Sequence, residues 1–72
     1  MNESELSNSL GSRIRKLREE QNISQQDLAA QCNFEKSNVS RIEAGKTNIT
    51  IKTLYLISKA LSVSIKELVD IE

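Results

Sequence analysis

The segment SQQDLAAQCNFEKSNVSRIEAGKTN, residues Ser24–Asn48, decides the fold of this 72-residue chain. Ser24 is followed three residues later by Asp27, a pattern that often marks the start of a helix. We therefore predict a helix from Gln25 to about Gln31. Its predicted inward residues are Leu28, Ala29 and Cys32.

A tight turn and a second helix follow. Asn33 belongs to the few residue types besides glycine that tolerate a left-handed backbone, so we predict the turn there. The second helix is predicted from Lys36 to Ala44, because Gly45 stands just past its end. Two short helices joined by such a turn form a helix-turn-helix arrangement.

The second of these helices has one apolar and one polar side. Val39 and Ile42, with Phe34 nearby, are its predicted core contacts. The side chains left on the outward face are those of Lys36, Ser37, Asn38, Ser40 and Arg41. This face carries the hydrogen-bond donors and acceptors that reading the edges of DNA bases requires.

Three more helices are predicted around this pair. The first covers about residues 8–21, with Ser7 or Ser9 as its cap and Asn22 at its end. The fourth covers about residues 51–61, after a cap at Thr50, and its predicted inward residues are Ile51, Leu54, Ile57, Ser58 and Leu61. The fifth covers about residues 65–71, after the capping-box pair Ser64 and Glu67. We predict an all-α fold of five helices, with residues 1–7 as a short polar tail and 8–72 as one domain.

Composition excludes several classes of function. The chain has no His, one Cys and two Gly, and 38% of its residues are hydrophobic. A Ser–His or Cys–His catalytic pair and a thiolate zinc site are therefore impossible. Since no carboxylate pair or phosphate-binding loop stands out, we expect no enzyme activity, no cofactor and no metal. No run of 18 apolar residues occurs, and the N-terminus is polar and acidic, so we expect no membrane association and a cytoplasmic location.

Charge is unevenly distributed although the formal net charge is zero. Residues 13–59 hold nine basic and five acidic residues, whereas the segments 1–12 and 60–72 are each net negative by two. A neutral protein with this distribution can still present one basic face to a partner.

From Leu10 onward the chain resembles the phage-repressor and Cro-type (XRE) helix-turn-helix family. The resemblance is carried by SRIRKLREEQNIS (12–24), by the segment 24–48 and by TIKTLYLISKALSVSIKEL (50–68). It implies a five-helix, lambda-repressor-like DNA-binding domain. In size and layout the chain is most similar to the compact controllers of restriction–modification operons; small prophage repressors and antitoxins share the same fold.

The resemblance also implies roles for individual residues. The base-reading positions are Lys36, Ser37, Asn38 and Arg41. The phosphate-contacting positions are Ser24, Gln25, Lys46, Asn48 and Lys52. Gln25 would also brace the recognition helix, and Arg18 and Glu43 would form a partly buried structural ion pair. Two positions depart from the family: Glu35 stands where Ser or Thr is usual, and Ile49 stands where Pro is common.

A single helix-turn-helix reads only a few base pairs, and dimers of such units bind pseudo-palindromic operators. Apolar residues beyond the needs of one core predict a homodimer through the end of the fourth helix and the fifth helix. The predicted interface residues are Tyr55, Leu56, Ile65, Leu68, Val69 and Ile71. The alternative is that Leu68 and Val69 only close the core of the monomer.

The resemblance thus implies a sequence-specific transcriptional regulator whose partners are a double-stranded DNA operator and a second copy of the chain. No small-molecule ligand is expected. The alternative function is an antitoxin or protein-interaction module of the same fold. Salt dependence separates the two, because neutralising DNA phosphates makes binding weaken steeply with salt.

Overall fold

The computed structural model describes residues 1–71 and contains five α-helices in this part of the chain. They are α1 (Glu3–Glu20), α2 (Gln25–Cys32), α3 (Lys36–Glu43), α4 (Ile51–Ala60) and α5 (Ile65–Leu68). The same residues form no strand, and the predicted all-α, five-helix fold is confirmed. None of these helices is long and apolar enough to span a membrane.

Four of the five helices begin on a side chain that caps them. The side-chain oxygens of Asn2, Ser24, Thr50 and Ser64 each accept a hydrogen bond from a backbone N–H in the first turn. At Ser64 the bond is reciprocated, since the carboxylate of Glu67 accepts from the backbone N–H of Ser64, as the predicted capping box requires.

Helices α1 to α4 end in the same way. Each is followed by a residue with a φ angle between 56° and 72°. These residues are Asn22, Asn33, Gly45 and Ser62. In each case the next backbone N–H donates to the carbonyl five residues earlier, the closing bond of a Schellman motif. The chain therefore reverses tightly after each helix.

All five helices contribute to one apolar core. Its buried members are Ile14, Leu17, Leu28, Ala29, Cys32, Val39, Ile42, Leu54, Ile57, Leu61 and Leu68. The inward residues Leu28, Ala29, Cys32, Val39 and Ile42 predicted for α2 and α3 are among them, whereas Phe34 is only partly buried against this core. Burial raises the pKa of the Cys32 thiol, because the thiolate would be poorly solvated there.

Helix α1 begins about five residues earlier than predicted, and neither Ser7 nor Ser9 is its cap. The side chain of Asn2 accepts a hydrogen bond from the N–H of Glu5 at 2.8 Å. An acidic residue three positions after a capping residue is favourable for the helix start and for its dipole. Residues 3–7, predicted as a tail, thus form the first turns of α1.

Helix α5 is shorter than predicted and ends at Leu68 rather than near Ile71. A continued helix would need the carbonyl of Lys66 to accept from the N–H of Asp70, but that N–H donates to the carbonyl of Glu67 instead, at 3.4 Å. The carbonyl of Glu67 also accepts from Arg13 on α1, at 3.1 Å from Nε and 2.9 Å from Nη2. A side chain 54 positions away in sequence therefore ties the end of α5 to α1.

The prediction that Ile51 faces inward is wrong. Ile51 is 76% exposed, whereas Leu54, Ile57, Ser58 and Leu61 are buried as predicted. Helical spacing assigns Ile51 to the same side as Leu54, but it does not reveal where along α4 the covering helices end. Ile51 is the first residue of α4 and extends past that cover.

Candidate nucleic-acid interface

Helix α3 buries one side and exposes the other. Val39 and Ile42 are almost fully buried in the core. All of the predicted outward residues are exposed: Lys36, Ser37, Asn38, Ser40 and Arg41. The exposed side is therefore a continuous polar surface backed by a rigid apolar one.

The end of α3 is fixed by a buried ion pair. The carboxylate of Glu43 accepts from Arg18 through both oxygens, at 2.7 Å from Nε and 3.0 Å from Nη2. The two side chains are only 3% and 9% exposed, respectively. One oxygen of Glu43 also accepts from Nε2 of Gln25 at 3.0 Å. This network joins α1, α2 and α3, and it gives Gln25 the bracing contact that the resemblance implied.

Arg18 also holds the turn that leads into α2. Its Nη1 donates to the carbonyl of Ile23 at 2.7 Å, directly before the N-cap residue Ser24. The hydrogen bonds to Glu43 raise the pKa of Arg18, against the opposing effect of burial, so the guanidinium stays charged. One side chain therefore sets the position of both helices of the helix-turn-helix.

A close backbone approach adds a second fixed point between α1 and α3. Gly11 is buried, and a Cβ atom at this position would overlap the carbonyl oxygen of Ile42 and lie 2.7 Å from that of Glu43. Only glycine allows α1 to lie this close to the end of α3. Sequence reasoning missed Gly11, although a glycine inside a helix usually has a packing reason.

The residues predicted to contact phosphates lie at the start of α2 and in the segment that follows α3. Ser24 and Gln25 form the start of α2, where Oγ of Ser24 accepts from the N–H of Asp27 at 3.0 Å. Lys46 and Asn48 are exposed in the loop after α3, and Lys52 is exposed in the first turn of α4.

A small cleft lies between α3 and the loop that follows it. Its polar lining includes Asn38, Thr47, Asn48 and Thr53, and its volume is about 160 Å³. The structure thus brings the base-reading candidate Asn38 close to the phosphate candidate Asn48. Ile49, one of the two departures from the family pattern, packs against the core beside this cleft.

Residues 14–68 match the helix-turn-helix family profile. The chain belongs to the helix-turn-helix family. This result confirms the resemblance noted in the sequence, and it identifies the protein as a DNA-binding transcriptional regulator, with α2 and α3 as its helix-turn-helix.

Similar members of this helix-turn-helix family include two control proteins. The control protein C.BamHI of Bacillus amyloliquefaciens is 38% identical over 61 residues, which cover 83% of this chain and 75% of that protein. The control protein C.MunI of a Mycoplasma species is 39% identical over 64 residues, which cover 86% of each. The crystal structure of the restriction–modification controller protein C.AhdI from Aeromonas hydrophila superposes with a TM-score of 0.84, at 30% identity, covering 89% of this chain and 96% of that one.

The predicted dimer residues of this helix-turn-helix protein differ in accessibility. Tyr55, Ile65 and Val69 are exposed, whereas Leu56 and Ile71 are half-buried. Leu68 has no exposed surface at all, so it belongs to the core of the monomer and cannot face a partner. The prediction that Leu68 lies in the interface is wrong, because this last residue of the short α5 closes the core of the monomer.

Proposed function

We propose that this protein is a homodimeric controller of a restriction–modification operon that inserts α3 into the major groove of a pseudo-palindromic operator. It acts on DNA in the bacterial cytoplasm. The observation that carries the proposal is the exposed polar face of α3, held in place by Val39 and Ile42 from below and by Glu43 at its end. A recognition helix needs both properties, because base readout requires free polar groups in a fixed position.

The base contacts are assigned to Lys36, Ser37, Asn38 and Arg41. The planar guanidinium of Arg41 can donate two hydrogen bonds to the O6 and N7 atoms of guanine. The amide of Asn38 can pair with the N6 and N7 atoms of adenine in the same way. Both side chains are exposed and make no hydrogen bond to another side chain among residues 1–71, so both are available to DNA.

The phosphate contacts are assigned to the residues on either side of α3: Ser24, Gln25, Lys46, Asn48 and Lys52. Contacts to the DNA backbone fix the orientation of the protein but carry no direct sequence information. The start of α2 and the loop between α3 and α4 both adjoin α3, through the bond of Gln25 to Glu43 and that of the Lys46 N–H to the carbonyl of Arg41. Gln25 already donates to Glu43, so its proposed role combines bracing of α3 with a contact to the DNA backbone.

The dimer is assigned to exposed apolar side chains on α4, on α5 and at the residue that follows α5. Tyr55 is 50% exposed, and Ile65 and Val69 are also accessible. The ammonium group of Lys59 lies 5.8 Å from the centre of the Tyr55 ring. A two-fold symmetric contact here would present two copies of α3 to half-sites about 34–36 Å apart.

The gene setting is proposed from the relatives. C.BamHI and C.MunI are named as control proteins, and C.AhdI as a restriction–modification controller protein. This chain spans at least three quarters of the length of each of them. A controller of the same size and fold is therefore the function that we propose for it.

Selection from random double-stranded DNA, followed by sequencing of the retained fragments, tests the proposal. We expect a two-fold symmetric motif with half-sites one helical turn apart, together with a dimer in sedimentation equilibrium at micromolar concentration. Binding to the selected motif should weaken with salt at a log–log slope of about −0.9 per phosphate contacted. Retention of DNA without any motif, or a monomer at high micromolar concentration, would contradict it.

A further inference from the structure

The start of α3 differs from the starts of the other four helices. Its N-cap residue, Glu35, has the extended backbone of a cap, but its side chain makes no capping hydrogen bond. Ser, Thr, Asn and Asp are the residues that cap well, because their short side chains reach the free backbone N–H groups. The helix assigned to base reading is therefore the one that begins without this stabilisation.

The carboxylate of Glu35 is also uncommitted. The residue is exposed, and none of the ion pairs formed within residues 1–71 includes it. A negative charge on this surface opposes DNA binding in general, because the phosphates repel it. Because an ionised carboxylate only accepts hydrogen bonds, a favourable contact between Glu35 and DNA needs a hydrogen-bond donor on a base.

We infer that Glu35 is a specificity-determining residue that accepts a hydrogen bond from the exocyclic N4 amine of a cytosine. The inference rests on the proposed function, in which α3 lies in the major groove. The first residues of a recognition helix are those that contact base edges. Glu35 immediately precedes Lys36, the first residue of α3, and therefore lies at this end.

The chemistry of the carboxylate selects the base. An ionised carboxylate only accepts hydrogen bonds. In the major groove, donors are found on cytosine at N4 and on adenine at N6, and the N6 amine lies next to the acceptor N7. That acceptor would face the second carboxylate oxygen of Glu35, whereas cytosine offers no such acceptor. Glu35 therefore favours cytosine over adenine, and over guanine and thymine, which present only acceptors in this groove.

Three variants test the inference in the same selection from random DNA. E35S supplies a capping hydroxyl, so it should fold at least as stably as the wild type while losing the carboxylate. E35Q keeps the length of the side chain and adds a donor, which allows paired hydrogen bonds with adenine. E20Q removes one negative charge from an exposed position on α1 and serves as the matched control.

We expect the wild type to prefer cytosine at one position of each half-site by about fivefold or more. E35S should lose the preference at that position alone, E35Q should change it to adenine, and E20Q should select the wild-type motif. If E35S and E35Q keep the wild-type preference at every position and only bind all sequences more tightly, Glu35 merely repels the backbone and the inference is overturned. If the wild type selects no motif, the proposed function fails, and this inference fails with it.

Discussion

The carboxylate of Glu43, at the end of the recognition helix, is held by the guanidinium of Arg18 on α1 through two hydrogen bonds of 2.7 and 3.0 Å. The pair is buried, and no buried side-chain nitrogen or oxygen in the described part of the chain lacks a hydrogen-bond partner. A fully satisfied polar network of this kind fixes a unique arrangement of the helices around it. The direction in which α3 presents its polar face therefore depends on the Arg18–Glu43 ion pair, which lies in the interior and not on the exposed face of α3.

Removal of one partner of this pair should be costly. In Glu43→Ala, the guanidinium of Arg18 remains buried without its counter-charge, and Gln25 also loses its acceptor. We expect the free energy of unfolding to fall by about 3–5 kcal/mol, measured by urea denaturation. A small domain has about 5–15 kcal/mol in total, so this loss would remove a large share of its stability.

The double variant Arg18→Met/Glu43→Leu is the matched control. It removes both charges and leaves apolar groups of similar size, which is often neutral for a buried ion pair. We expect it to recover much of the stability that Glu43→Ala loses. If the double variant is the less stable of the two, an unpaired buried charge is not the cause of the loss.

Gly11→Ala tests the close contact between α1 and α3. Helix propensity alone predicts a gain of about 1 kcal/mol, because alanine is the better helix former. The new Cβ would meet the backbone carbonyls of Ile42 and Glu43, which cannot rotate away. We therefore expect a loss of about 1–3 kcal/mol in thermal unfolding, as for an overpacked core. Ser12→Ala, at the exposed neighbouring position, should not share the loss; a stabilised Gly11→Ala would disprove the contact.

Arg13→Met tests how α5 is held against α1. The variant removes the donors at 3.1 and 2.9 Å from the carbonyl of Glu67 while keeping an apolar side chain of similar length. We expect a loss of about 1 kcal/mol, the usual net value of one hydrogen bond, with faster amide exchange confined to α5 and the residues after it. Lys16→Met removes the same charge from an exposed position on α1 and should change neither measurement.

The helix-turn-helix could be predicted from the sequence because its signals are local. Asn33 and Gly45 have the positive φ angles that their positions suggested. Ser24 and Ser64 cap the helices that follow them. Each of these depends on residues no more than five apart, which is the range over which capping and turn formation act.

The errors arose where distant residues or the limits of the core decide the outcome. The end of α5 is tied to α1 by Arg13, a contact between residues distant in sequence, and the exposure of Ile51 depends on where neighbouring helices stop. Leu68 was predicted at a dimer surface because apolar residues look alike in sequence whether they face the core or a partner. The start of α1 is a different case, because the pair Asn2 and Glu5 is a local capping signal. The apolar spacing of later residues indicated a start further along the chain.

The central claim is that α3 reads DNA bases, and a comparison of Arg41→Ala with Lys46→Ala on the selected operator tests it most directly. We expect Arg41→Ala to lose about 1–3 kcal/mol of binding free energy and the base preference at one position. Lys46→Ala should weaken binding to all sequences alike and reduce the salt slope by about one. If Arg41→Ala binds the operator as tightly and as selectively as the wild type, the polar face of α3 does not read bases and the account is wrong.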